Sequence, residues 1–292
     1  MNSWILALRP KTLTASIVPV TVGVTLAATW SKSEIKYWVV LFAILSSIFI
    51  QISTNLVNDA LDFKKGADTK KRLGPVRVSA SGLIKADDVL RGAFVAMLCA
   101  TLFGVPLIIE GGWPILLVGI FSLVFAYLYT GGPLPLAYHG LGDFFVIVFF
   151  GWVAVGGAFY LQSGAFHNWA LVSGFQMGAL STVLIAINNL RDSEEDAQNK
   201  KNTLAVRFGA KFVRWEIFAL YLLSSLFLFY WKSQSFSFWY LPLFTTPLMI
   251  ALVLKVFQTQ PSQKYNGFLA QAALVHMLFG ALLTLTFFLG RV

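Results

Sequence analysis

Long stretches of the chain are nearly free of charge, and short polar segments separate them. The apolar runs fall at about 13–30, 37–57, 89–110, 113–130, 141–160, 168–187, 213–231, 238–258 and 267–290. Each is near the ~20 residues that a spanning helix requires. The pattern predicts an all-α, polytopic membrane protein of about nine transmembrane helices. No segment reads as a linker between folding units, so residues 1–292 are expected to form a single domain. Arg9-Pro10-Lys11 precedes the first run and no small-residue cleavage site follows it, so that run is expected to be a retained span.

Two polar segments are longer than ordinary connections, at about 58–88 and 188–212. Both are charged, yet they carry apolar residues such as Leu73, Val76, Leu204 and Val206. They are expected to be ordered caps over a site.

Composition supports the membrane reading: 57% of residues are apolar and 12% are charged. The net charge of +9 has no soluble basic domain to carry it, so nucleic-acid binding is not expected. With nine spans, every Lys and Arg except Lys32, Lys36, Lys232 and Arg291 falls on one side. The positive-inside rule then puts the N-terminus in the cytoplasm and the C-terminus outside. The lone Cys99 lies within a run and reads as an apolar filler, while His139, His167 and His276 read as local hydrogen-bonding residues.

Carboxylates are scarce in such a chain and usually functional. Here they gather after the second and sixth runs. Asn55, Asn58, Asp59 and Asp62 stand at i, i+3, i+4 and i+7, on one helical stripe. Asn189, Asp192 and Asp196 stand at i, i+3 and i+7, beside Asn188. Both preceding runs are even-numbered, so the two clusters form a parallel pseudo-repeat on the cytoplasmic side, with a central cavity expected between the halves. Oxygen ligands of this kind suit hard cations, Mg²⁺ above all, which prefers one or two carboxylates plus phosphate oxygens. Nearby Lys64, Lys65, Lys70, Lys71, Arg72, Arg77, Arg191, Lys200, Lys201 and Arg207 could grip phosphate, or simply mark the cytoplasmic side. A cation-coupled secondary transporter would use similar acids, but near the bilayer midplane rather than at helix ends.

Several segments together resemble the intramembrane aromatic prenyltransferases of the UbiA superfamily, and most of all the branch that prenylates 1,4-dihydroxy-2-naphthoate. They are Arg9-Pro10-Lys11-Thr12-Leu13, Gly66-Ala67-Asp68, Gly74-Pro75-Val76-Arg77 and Ser81-Gly82-Leu83-Ile84. Gly140-Leu141-Gly142-Asp143, Asn188-Asn189-Leu190-Arg191-Asp192 and Lys201-Asn202-Thr203-Leu204 complete the set. The resemblance implies nine helices around a cavity open to the bilayer, in the inner membrane of a bacterium, with the active site facing the cytoplasm. It implies transfer of a polyprenyl group from polyprenyl diphosphate to dihydroxynaphthoate, with loss of CO₂ and diphosphate, giving demethylmenaquinol. Another aromatic acceptor, 4-hydroxybenzoate or homogentisate, is the alternative.

The resemblance also implies roles. Two Mg²⁺ ions would be held among Asn58, Asp59, Asp62, Asp68, Asp192 and Asp196. Asp62, Asp192, Asp196 and Arg77 would carry catalysis, and Asn58, Asn189, Arg72, Lys201, Lys11 and Tyr129 would bind substrates. Two departures stand out. The last Asp of the first motif would fall on Gly66, and the next acid is Asp68. Tyr129 is followed by Pro133 where many relatives carry Lys, so Lys201 or Arg77 would have to supply that charge.

Overall fold

The structure, a computed structural model, describes residues 3–68 and 72–290, with the main chain alone at Lys11. It is all-helical in architecture. In chain order the helices are α1 (Ser3–Leu8), α2 (Thr14–Ser31), α3 (Tyr37–Lys64), α4 (Ala86–Leu128), α5 (Gly142–Val146) and α6 (Ala154–Ser163). There follow α7 (Asn168–Arg191), α8 (Ser193–Gln198), α9 (Leu204–Leu226), α10 (Leu228–Ser233), α11 (Thr246–Gln258) and α12 (Tyr265–Phe288). A π-helical stretch, Ile147–Val153, joins α5 to α6. Among the described residues, eight continuous helical stretches are long and apolar enough to cross a membrane.

The difference between eight and the nine expected runs lies in α4. Its 43 residues would extend about 65 Å if straight, twice the ~30 Å hydrocarbon core. It is broken at Gly112 (φ 66°, ψ −154°), between Pro106 and Pro114. That conformation is open to glycine and strained for other residues. Contacts show that the chain reverses there. Asp87, at the start of α4, takes the ammonium of Lys64 at 2.6 Å. Thr130, just past its end, donates to Asn58. Glu110, beside the break, takes Lys36 at 2.5 Å, before the start of α3. Both ends of α4 therefore lie at the C-terminal end of α3, and the expected runs 89–110 and 113–130 are its two limbs.

The centre of the bundle is α7, the most buried of the long helices. It packs closely on the π-helical stretch through glycines. A Cβ on Gly151 would lie 2.3 Å from the Gly174 carbonyl oxygen, and one on Gly178 would lie 2.7 Å from that of Ile147. Without a hydrophobic drive between helices in lipid, such close approach is what holds spans together. As α3 and α7 run the same way, their C-terminal ends meet at one end of the bundle. α1 lies at that end too, where the Leu8 carbonyl accepts Asn55 Nδ2 at 3.1 Å. The last turn of α12 lies at the other, where the Phe287 carbonyl accepts Thr29 Oγ1 at 2.8 Å.

Candidate active site

The C-terminal turns of α3 set the first motif. Asn58 accepts the Thr130 hydroxyl, and Asp62 Oδ1 accepts the Tyr138 hydroxyl at 2.8 Å. Asp62 Oδ2 faces Lys201 Nζ at 3.8 Å. Asp59 goes elsewhere. Its two oxygens accept the main-chain N–H groups of Val78 (3.1 Å) and Ser79 (2.9 Å), so it fastens the loop after Gly74. Asp59 is thus a main-chain anchor and does not line the cavity described below. The irregular ending of this motif has a physical cause. Gly66 (φ 73°) ends α3 in the left-handed cap conformation, with Ala67 N–H returning to the Asp62 carbonyl at 2.8 Å. The chain turns at Gly66, and Asp68 brings its carboxylate back into the site, against Arg72 and with Oδ2 3.2 Å from Arg77 Nε.

The second motif straddles the end of α7. Asp192 lies between α7 and α8, and Asp196 lies within α8. Asp192 takes Arg191 Nε and Nη2, each at 2.7 Å, and Arg72 Nη2 at 2.9 Å. Arg191 is only 2% exposed and also donates to Asn188 Oδ1 (2.7 Å) and Asn266 Oδ1 (2.8 Å). Asn266 Nδ2 in turn binds the Leu73 carbonyl at 2.9 Å. One guanidinium thus ties α7, α12 and the long loop together. Gly74 runs close beneath both guanidiniums: a Cβ there would lie 2.5 Å from Arg191 Nη2 and 2.8 Å from Arg72 Nε. Asp196 faces Lys201 Nζ at 3.6 Å. Lys201 thus stands between the two motifs.

Charge in this network is unevenly matched. Burial pushes Asp68 up to about 6, a rise that Arg72 reduces and Asp62 adds to. Burial likewise lifts Asp196 to about 6, against the pull of Lys201. Asp192 is equally buried, but its Arg191 hydrogen bonds and the Arg72 charge prevail and hold it below the ordinary range. Burial alone would lower Lys201; Asp62 and Asp196 outweigh it and hold the ammonium above its usual value. Arg9 borders the cavity in a left-handed conformation (φ 51°), and burial followed by the like charge of Arg72 lowers it to about 10. Among the described residues, Asp68 Oδ2, Arg9 Nη2, Arg72 Nε and Arg77 Nη1 are enclosed without a hydrogen-bond partner. Under-compensated carboxylates beside unsatisfied guanidinium donors suit a ligand that brings both cations and phosphate oxygens. Among the described residues, no three His, Cys, Asp or Glu side chains converge as a cage. Mg²⁺ needs none, because it takes few protein ligands and completes its shell with water and phosphate.

The raised carboxyls carry a testable consequence. Asp68 and Asp196 hold protons more tightly in the folded chain, near 6, than the 3.8 of an ordinary Asp. The folded state therefore binds more protons across that window, and stability falls as pH rises through it. Without divalent cation, the thermal midpoint of the solubilised protein should be higher at pH 5 than at pH 7. Adding Mg²⁺ at pH 7 should narrow the gap. A midpoint indifferent to both changes would contradict this electrostatic account.

Beneath the network lies a cavity of about 450 Å³. Asn58, Asp62, Arg77, Asn189, Lys201 and Tyr129 line it, as does Arg9. Asp68, Arg72, Asp192 and Asp196 stand behind its mouth in the ion-pair network. Its body is aromatic on one side, where Phe125 meets Phe145 at 4.9 Å and Phe149 at 5.3 Å between ring centres. The side chain of Lys11 lies outside what is described, as do Lys70 and Lys71. The histidines are local hydrogen-bonding groups: His139 meets the Pro135 carbonyl, His167 accepts Trp169 N–H and His276 meets Ser181. Residues that sequence reasoning did not single out include Tyr138, Thr130, Arg9 as an individual side chain, and Arg191 as a hub. Only Arg9 and Arg191 carried any signal, as members of larger motifs.

The chain is a multi-pass membrane protein and belongs to the UbiA prenyltransferase family, whose model matches residues 16–279. Among curated relatives, it is 32% identical to the 1,4-dihydroxy-2-naphthoate octaprenyltransferase of Haemophilus influenzae, over 99% of this chain and 97% of that one. It is 36% identical to the enzyme of the same name from Escherichia coli, over 71% and 69% of the respective chains. The fold is shared with a UbiA homolog from Archaeoglobus fulgidus bound to DMAPP and Mg²⁺, at TM-score 0.60 and 18% identity over 98% of this chain and 99% of that one. It is also shared with a UbiA homolog from Aeropyrum pernix K1, at TM-score 0.69 and 14% identity over 94% and 97%.

Proposed function

We propose that this protein transfers a polyprenyl group from polyprenyl diphosphate to 1,4-dihydroxy-2-naphthoate, releasing diphosphate and CO₂ and forming demethylmenaquinol. The observation that carries the reading is the meeting of two acidic motifs around Lys201 at the mouth of an aromatic-walled cavity. The names of relatives matched over 99% and 71% of this chain support the acceptor. The whole chain acts as one unit in a bacterial inner membrane, with its mouth and N-terminus on the cytoplasmic side, where the basic residues gather.

Breaking the allylic C–O bond puts negative charge on the departing diphosphate. Lys201, Arg72 and Arg9 supply fixed positive charge there, in a site already organised before the bond breaks. When bound, two Mg²⁺ ions held by Asp62, Asp68 and Asp196 with Asn58 would neutralise the remaining charge on the diphosphate oxygens. Asp192, already matched by two guanidiniums, orients Arg72. Tyr129, Phe125 and Phe145 offer ring faces to the allyl cation, about 0.5–2 kcal/mol each. Arg77 pairs with the acceptor carboxylate. The ring carbon that gains the prenyl group loses CO₂, and the electron pair of that C–C bond restores the aromatic diol, so no ring proton has to be removed there.

The test is product stoichiometry in membranes supplied with Mg²⁺ and both substrates. Diphosphate and CO₂ should appear in equal amounts and both should stop in EDTA. Diphosphate release without CO₂, or turnover undiminished by EDTA, would refute the scheme.

A further inference from the structure

His276, an ionisable side chain deep in the bundle, takes no part in the network at the mouth. It is 1% exposed and stands eleven residues past the start of α12. Ser181, 4% exposed, stands ten residues before the end of α7. At about 1.5 Å per residue, both lie about 15 Å from the mouth, near the middle of the ~30 Å hydrocarbon core. His276 Nε2 and Ser181 Oγ are 3.1 Å apart. An ionisable group at that depth is expensive to place and marks function by default.

The Ser181 hydroxyl behaves unlike its neighbours. Ser173 and Thr182 on the same helix, and Ser224 on α9, each donate to the carbonyl four residues earlier. Among the described residues, Ser181 makes no such bond and meets His276 instead. The other imidazole nitrogen, Nδ1, is enclosed without a hydrogen-bond partner among those residues. A buried N–H left without an acceptor is rarer than a buried acceptor left unused. The proton therefore belongs on Nε2, which donates to Ser181 Oγ. That leaves the Ser181 hydroxyl proton free for the central cavity, whose wall Ser181 helps to form. His276 stands behind the wall and acts through the serine.

A hydroxyl donor at this depth has nothing to bind on a hydrocarbon tail, and the diphosphate belongs with the charges at the mouth. The aromatic acceptor brings two phenolic oxygens. In dihydroxynaphthoate the 1-hydroxyl is ortho to the carboxylate and hydrogen-bonds to it. The 4-hydroxyl projects from the opposite side of the same ring and is left without a partner. Seven residues separate Ser181 from Asn188, about 10 Å along α7, a span of the order of a bicyclic ring. A ring with its carboxylate on Arg77 at the mouth thus turns its far edge toward Ser181. We propose that Ser181, oriented by His276, donates a hydrogen bond to the 4-hydroxyl oxygen of the acceptor, and that the pair selects a ring with a second hydroxyl. The inference rests on the reading that the acceptor is dihydroxynaphthoate, bound by its carboxylate.

The test uses the full-length protein with Mg²⁺ and a polyprenyl diphosphate, with dihydroxynaphthoate as acceptor and 1-hydroxy-2-naphthoate, which lacks the 4-hydroxyl, as competitor. Wild-type turnover of dihydroxynaphthoate tests the underlying reaction by itself. In Ser181→Ala, KM for dihydroxynaphthoate should rise about tenfold, the scale of one buried hydrogen bond. The inhibition constant of the competitor should change by less than about twofold, because it has no oxygen there to lose. His276→Gln keeps an N–H close to the place of Nε2 and should hold KM near the wild-type value. His276→Leu should raise it as Ser181→Ala does, and combining the two should add little. An unchanged KM in Ser181→Ala would overturn the proposal. Equal rises for acceptor and competitor would overturn it as well, because the serine would then not sense the 4-hydroxyl. His276→Gln as impaired as His276→Leu would overturn the role of the histidine.

Discussion

Asp62→Ala should lose prenyl transfer by at least about 10²–10³-fold, the scale seen when one preorganised electrostatic group is removed from an active site. Asp62 is buried at the last turn of α3 and meets the Tyr138 hydroxyl and Lys201. Its removal takes away a carboxylate that faces Asp196 across Lys201, and leaves that ammonium with Asp196 as its carboxylate partner among the described residues. Asp62→Asn should be nearly as inactive, because the amide keeps the shape and loses the charge. Insertion should survive, since among the described residues no main-chain group depends on the Asp62 side chain. Diphosphate release by the purified variant measures the effect, and turnover near the wild-type rate would remove Asp62 from the site.

Arg191→Ala should damage the fold rather than the chemistry alone. It strips Asp192 of two hydrogen bonds and Asn188 and Asn266 of one each. Breaking a buried ion pair from one side costs about 3–5 kcal/mol, because the remaining charge is uncompensated. Arg72 still reaches Asp192, which places the expected loss at the lower end of that range. The double variant Arg191→Ala/Asp192→Ala should be more stable than Arg191→Ala, although neither should catalyse. Thermal midpoints in detergent measure both. A single variant as stable as wild type would contradict the role of Arg191 as the tie between α7, α12 and the loop.

Hydrophobic runs gave the helices because lipid demands about 20 apolar residues of every span, whatever its neighbours. They also separated 89–110 from 113–130, the two limbs of a 43-residue helix that the backbone conformation at Gly112 turns into a hairpin. Spacing brought Asp59 and Asp62 onto one stripe correctly, yet residues three apart on a 3.6-residue turn differ by about 60° around the axis. That angle is enough to give them different neighbours, the 78–79 main chain for Asp59 and Lys201 for Asp62. Asp68 was the least regular member of the motif, and the left-handed cap at Gly66 explains how it still reaches the network. The partners of Asp192 could not be read from spacing. Its saturation by Arg191 and Arg72 depends on a contact across more than a hundred residues of sequence. Tyr138 had no motif to announce it, because its position follows from the loop that leaves α4, not from any periodicity.

The account centres on a naphthoate acceptor at a cavity mouth charged for diphosphate. Its most direct test offers the purified protein Mg²⁺, a polyprenyl diphosphate and either dihydroxynaphthoate or 4-hydroxybenzoate, and identifies the prenylated product. A prenylated naphthoquinol with the first acceptor, and no product with the second, is the expected result. Product from 4-hydroxybenzoate with none from the naphthoate would contradict the account.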